Sequence, residues 1–210
     1  MTHLLKTLII SSPNVKDGEA KIITNLFDAG LERFHLRKPH CSSSKIARIL
    51  DVIPREFHDK IVLHRNFELL QDYALGGYHH KSNETLREVN GSKSRSTHKI
   101  GELFVENEVM DYLFFGPVFH SISKKEHIPK ISMDEIRKAL TKLKKNSKRP
   151  LVYALGGIRR NKVYSIIEAG FDGVALLGSI WGKPDPVAAF ELFKASLDKR
   201  FEFADTLAKL

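Results

Sequence analysis

Short apolar segments alternate with segments of helical period from one end of this chain to the other. The strand candidates are Leu4–Ser11, Glu32–Lys38, Lys60–His64, Gly76–His80, Ser92–Thr97, Asp111–Gly116, Leu151–Gly157 and Gly173–Gly178. Between them Ile22/Ile23 with Leu26/Phe27, and Ile46 with Ile49/Leu50 and Ile53, repeat at the spacing of one helix face. Ser132–Glu135 ("SMDE") has the spacing of a capping box and opens a helix carrying Ile136, Leu140 and Leu143. Val163 with Ile166/Ile167 marks another helix, ended by Gly170, and the stretch from Pro186 to Leu210 reads as the last. The fifth strand, "SKSRST", is polar and short; the rhythm alone demands it.

"DAGLERFHL" (Asp28–Leu36) and "EAGFDGVAL" (Glu168–Leu176) echo each other, with a glycine stopping a helix just before a strand. Strand–helix alternation means parallel strands, and eight such units in 210 residues close into a (β/α)8 TIM barrel, a single domain over 1–210. An open doubly wound sheet would more usually have fewer strands, and no G-x-G-x-x-G follows the first one.

The net charge of +9 asks whether the partner is nucleic acid, an anionic small molecule or nothing at all. Much of the excess lies in Ile136–Arg149, where lysines cover the solvent face of an amphipathic helix. No basic stripe interleaved with aromatics and no DNA-binding signature occurs, so nucleic acid is not the expected partner. The one cysteine, Cys41, excludes an internal disulfide or a multi-cysteine zinc site and has no marks of a nucleophile. No apolar run approaches a membrane span, and the opening "MTHLLKTLIISSP" reads as a first strand rather than a signal peptide. A cytoplasmic protein with no membrane partner is expected; a homo-oligomer is compatible with everything in the sequence.

In a parallel barrel the chemistry sits at the carboxyl ends of the strands. Strand two ends in "HLRK", placing His35, Arg37 and Lys38 there. Strand six ends in "GPVFHSISKK", with Ser121, Ser123 and Lys124; strand seven in Gly156-Gly157; strand eight in Gly178-Ser179. Glycines let backbone N–H groups approach an oxygen closely, hydroxyls donate, and Arg37 offers a fork suited to a phosphoryl group. This is a mouth suited to phosphate. Each element also has a plainer reading: Gly156-Gly157 as an ordinary loop, Lys124-Lys125 as a solvated pair, Arg37 as a partner for a helix carboxylate. Of His79 and His80 at most one faces the mouth, because side chains alternate along a strand.

The motifs "HLRK", "GYHHKSNE", "GPVFHSISKK", "YALGGI" and "GVALLGSI", in this order over nearly the whole chain, resemble the family of thiamine phosphate synthases and TenI-type thiazole tautomerases. The resemblance implies an enzyme of thiamine biosynthesis that joins a hydroxymethylpyrimidine diphosphate to a thiazole phosphate with Mg2+, releasing pyrophosphate. It implies Arg37 on the diphosphate and Lys124 on the leaving group or pyrimidine. Ser121, Ser123 and Gly157 would hold the thiazole phosphate, with Ser96 near the pyrophosphate and Glu84 at a metal-ligand position. His35 stands where a pyrimidine-binding glutamine is usual, and Lys38 is the displaced lysine of the family's "R-E-K". Gly178 replaces a serine. Where the synthase pattern has Asn-Asp, its Asp a Mg2+ ligand, this chain has His64-Arg65, and arginine cannot bind Mg2+. The tautomerases carry a histidine at the position of Pro117. A TenI-like isomerase and a binding protein without turnover therefore stand as alternatives.

Overall fold

The computed structural model describes residues 5–105, 109–120 and 129–207, with side chains described as far as Leu197. Eight parallel strands close into a barrel in sequence order: β1 (Lys6–Ile10), β2 (Phe34–Leu36), β3 (Ile61–Leu63), β4 (Gly77–His80), β5 (Ser92–Thr97), β6 (Tyr112–Phe115), β7 (Leu151–Leu155) and β8 (Gly173–Leu176). The ring is sealed where Lys6 pairs with Gly173 and Ile9 with Leu176. The helices outside it are α1 (Glu19–Asp28), α2 (Ser43–Leu50), α3 (Leu69–Asp72), α4 (Glu102–Val105), α5 (Met133–Leu143), α6 (Val163–Ala169), α7 (Gly178–Trp181) and α8 (Pro186–Leu207). The expected TIM barrel is therefore observed. Among the described residues no helix is long and apolar enough to cross a membrane.

The echo between Asp28–Leu36 and Glu168–Leu176 is a repeated stop signal. Gly30 has φ 90° and Gly170 φ 87°, the left-handed conformation that glycine adopts without penalty. In each copy the glycine N–H reaches back three residues and the next residue's N–H reaches back five: Gly30 to Phe27 and Leu31 to Leu26, Gly170 to Ile167 and Phe171 to Ile166. These are Schellman closures, and they turn each helix directly into the following strand. Helix α5 begins on the expected capping box, with Ser132 accepting from the Glu135 N–H and Glu135 returning the bond to Ser132. Its Ile136, Ala139, Leu140 and Leu143 are buried while Lys138, Lys142, Lys144 and Lys145 are exposed, so this cationic block is a solvated face.

Alternation along the strands builds two cores. Ile9, Phe34, Leu36, Ile61, Leu63, Leu113, Val152 and Val174 face the helices. Leu8, Ile10, Tyr112, Phe114, Tyr153 and Ala175 pack together inside the ring. Barrel interiors are usually filled by branched aliphatics. Here much of the filling is aromatic, and β2 and β4 add His35 and His79, which stack or stand edge-on to Tyr112 and Phe114. That explains the polar fifth strand. Ser94 and Ser96 each bond a ring nitrogen of His79 at 2.8 Å, so the inward hydroxyls of β5 satisfy a polar interior.

Candidate active site

All eight strand ends contribute to one cavity of about 560 Å³ at the carboxyl end of the barrel. Its wall runs through Ile10, Arg37, His64-Arg65, His79, Lys81–Asn83, Ser96, His98, Phe114, Leu155–Ile158 and Ala175, to Leu177–Ser179. Arg37 is placed through its backbone. The buried Ser11 hydroxyl accepts from the Arg37 N–H at 2.8 Å and donates to the Arg37 carbonyl at 2.9 Å, which fixes the exit of β2 while the guanidinium stays exposed.

The glycine edge is equally constrained. Gly156 and Gly157 have φ 93° and 66°. The exit of β6 is zipped to them, with Val118 donating to the Leu155 carbonyl at 2.9 Å and Phe119 to Gly156 at 3.1 Å. A Cβ at Gly157 would stand 2.7 Å from Phe119 Cβ. Across the wall α7 begins at Gly178, where first-turn N–H groups have no intrahelical acceptor, and the buried Ser179 Oγ has no protein partner. One rim therefore joins a guanidinium to a group of backbone amides and an unengaged hydroxyl, an arrangement that receives anions.

The floor carries no charge. His64 and His79 stack with ring centroids 4.2 Å apart, and Phe114 stacks on His79 at 4.5 Å. Burial, reinforced by neighbouring His80, Arg37 and Arg95, lowers His79 to about 3. Burial first, then other histidines, holds His35 and His64 well below the usual imidazole value. At neutral pH these rings are uncharged.

Several expected residues stand elsewhere. Lys38 is not at the mouth: its ammonium is buried with 0% side-chain exposure and bonds both oxygens of Glu19, at 2.5 and 2.6 Å. The Ser12 and Asn14 carbonyls accept from it as well, so it is a structural cation. His35 lies below the cavity wall, fully buried between His64 and Tyr112, because the inward parity of β2 sends it into the barrel. Glu84 is off the wall, its carboxylate accepting from Tyr78 Oη and the Lys81 N–H, both at 3.1 Å, with Arg87 alongside. Ser121, Ser123 and Lys124 lie outside the described residues. Arg37, Ser96, Gly156, Gly157, Gly178 and Ser179 do line the same cavity.

In the sequence the roles of His64 and His79 stay open, and nothing there marks Tyr112. The parity of the strands is the available signal: Phe34 and Leu36 either side of His35, and Tyr78 with the His80 ring against it either side of His79, take the outer face. A magnesium ion needs hard oxygen ligands, usually one or two carboxylates. The described wall offers no carboxylate and sets Arg65 at the matching position, with its guanidinium on the Pro39 carbonyl at 2.5 Å. These residues do not fit Mg2+.

A closed barrel whose mouth joins cations and glycine amides over a neutral aromatic floor is of the class that accommodates phosphorylated small molecules. The chain belongs to the thiamine monophosphate synthase family, TMP-TENI, whose model matches residues 7–180. The thiamine-phosphate synthase of Geobacillus kaustophilus is 26% identical over 194 residues, 86% of either chain. That of Streptococcus suis is 38% identical over 85 residues, and this match spans 40% of the present chain and 35% of the relative. The crystal structure of thiamine phosphate pyrophosphorylase from Bacteroides thetaiotaomicron superposes with TM-score 0.77 at 30% identity, covering 93% of this chain and 96% of that one.

Proposed function

We propose that the protein joins hydroxymethylpyrimidine diphosphate to a thiazole phosphate, forming thiamine phosphate and pyrophosphate. The observation that carries this reading is the meeting of Arg37 with Gly156, Gly157, Gly178 and Ser179 around one 560 Å³ cavity, a lining that suits two anionic groups. In the reaction the bond between the pyrimidine methylene and the diphosphate oxygen breaks, and its electron pair leaves with pyrophosphate. The thiazole nitrogen then gives its lone pair to the methylene, forming the C–N bond.

The chain's own groups suit those events. Arg37 and the Ser96 hydroxyl stabilise the departing diphosphate. The Gly157 region and Ser179 hold the thiazole phosphate, fixing the nitrogen in line with the methylene. The uncharged His79 and the Phe114 face form a floor that does not repel the transient pyrimidine cation. Lys124, Ser121 and Ser123 belong to the same proposal by family position. No described feature favours the tautomerase alternative, because Pro117 occupies the position of its histidine.

Incubating the purified protein with both phosphorylated substrates and Mg2+ tests this directly. Thiamine phosphate above background supports it. Its absence, with both substrates shown by calorimetry to bind, leaves a binding protein and refutes the catalytic reading.

A further inference from the structure

Three consecutive strands send a histidine to the base of the cavity. His35, His64 and His79 are all buried, and one ring nitrogen of each lies within 4.8 Å of the others. His35 Nδ1 and His64 Nε2 are 2.9 Å apart. The ring of His35 stands edge-on to His64 and His79, with centroids at 5.1 and 5.4 Å. Two nitrogens that point away from the group are already held: Tyr112 Oη is 2.8 Å from His35 Nε2, and Ser94 Oγ is 2.8 Å from His79 Nδ1. A hydroxyl oxygen there can accept a ring N–H, which leaves the inner nitrogen with its lone pair. Metal-ligating histidines are oriented in just this way by their outer partners.

We infer that His35 Nδ1, His64 Nε2 and His79 Nε2 form a binding site for a borderline divalent transition ion such as Zn2+ or Co2+, with the fourth position open to the cavity. Three protein ligands plus one exchangeable position is the pattern of an open zinc site. The donors are all imidazole nitrogens, which select against Mg2+ and Ca2+. With metal–nitrogen bonds of about 2.0–2.1 Å, tetrahedral ligand atoms stand roughly 3.4 Å apart. The His35–His64 pair at 2.9 Å therefore has to part by about 0.5 Å, and nitrogens standing as far as 4.8 Å apart have to close by about 1.4 Å, which takes rotation of more than one ring.

The Ser96 hydroxyl, now 2.8 Å from His79 Nε2, has to give up that place. The positive charge of Arg33 acts on His35, that of Arg37 on His64 and His79, and that of Arg95 on His79, so a bare dication is disfavoured. An anion in the fourth position offsets that repulsion, and inorganic phosphate should tighten metal binding. The site stands on the geometry of the histidines, and an ion there would withdraw His79 and Ser96 from the roles proposed for them in catalysis, so the two occupancies exclude each other.

The competing reading is a core of hydrogen-bonded neutral imidazoles that takes no ligand. Untagged protein should be titrated with Co2+ by visible absorption and with Zn2+ by calorimetry, each with and without phosphate. The expected result is one equivalent, with the intense bands of tetrahedral Co2+. His64→Gln and His79→Gln should each lose at least about tenfold in affinity. His40→Ala, at an exposed histidine, should bind as wild type does.

Nitrogen-15 spectra of the wild type, which need no variant to fold, should show Zn2+ shifting His35 Nδ1, His64 Nε2 and His79 Nε2. Absence of binding, octahedral Co2+, affinity retained in both glutamine variants, or unshifted ring nitrogens would each overturn the assignment. No substrate is used, so failure here leaves the synthase proposal untouched.

Discussion

Lys38→Met separates a structural cation from a substrate-binding one. The Lys38 and Glu19 side chains are 0% and 1% exposed, and the ammonium bonds both carboxylate oxygens and two backbone carbonyls. Methionine preserves most of the volume but leaves the Glu19 carboxylate buried without its cation. Breaking a buried pair by removing one partner costs about 3–5 kcal/mol. At roughly 2–4 °C per kcal/mol for a chain of this size, the melting temperature should fall by about 6–20 °C. Urea denaturation followed by circular dichroism measures the loss, and the double variant Lys38→Met/Glu19→Leu should recover most of it, because no lone charge then remains buried. A single variant within about 1 kcal/mol of wild type that had nonetheless lost substrate affinity would refute the reasoning and return Lys38 to the mouth.

Three further outcomes follow from the site. His79 is lowered to about 3 in the folded protein, so between there and the ordinary imidazole value the unfolded chain binds the extra proton and stability falls as pH falls. From His79 alone the loss at pH 5 is about 2 kcal/mol, with His35 and His64 acting in the same direction; a urea midpoint flat from pH 7 to 5 would contradict this. Gly157→Ala forces a side chain onto φ 66° against Phe119, and should cost about 1–3 kcal/mol in stability or thiamine phosphate affinity, read by denaturation and calorimetry. Arg65→Asp gives the wall the carboxylate it lacks and should raise Mg2+-dependent turnover; an unchanged or lower rate counts against a magnesium site lost at this position.

The barrel was legible because its signals are local. Helix faces, the Ser132 capping box and the two Schellman glycines each act within a few residues, and together they set the order of elements. The polar strand Ser92–Thr97 could be placed by rhythm, but its cause, the Ser94 and Ser96 hydroxyls that serve His79, is a cross-strand fact. The same distinction divides the site. Arg37 and the glycines reach the cavity because strand ends point there. Lys38, one residue on, is captured by Glu19 and by carbonyls from the preceding loop, partners that sequence adjacency does not reveal. Nearness to a strand end points His35 to the mouth, whereas its parity and the reach of Tyr112 from β6 draw it into the interior.

The central claim is that one barrel mouth seats two anionic groups, and a crystal soaked with thiamine phosphate and pyrophosphate tests it most directly. The account predicts density for the thiamine phosphate phosphoryl group at Gly157 and Ser179, and for pyrophosphate against Arg37. Ligand density elsewhere on the molecule, with both of those seats filled only by solvent, would contradict it.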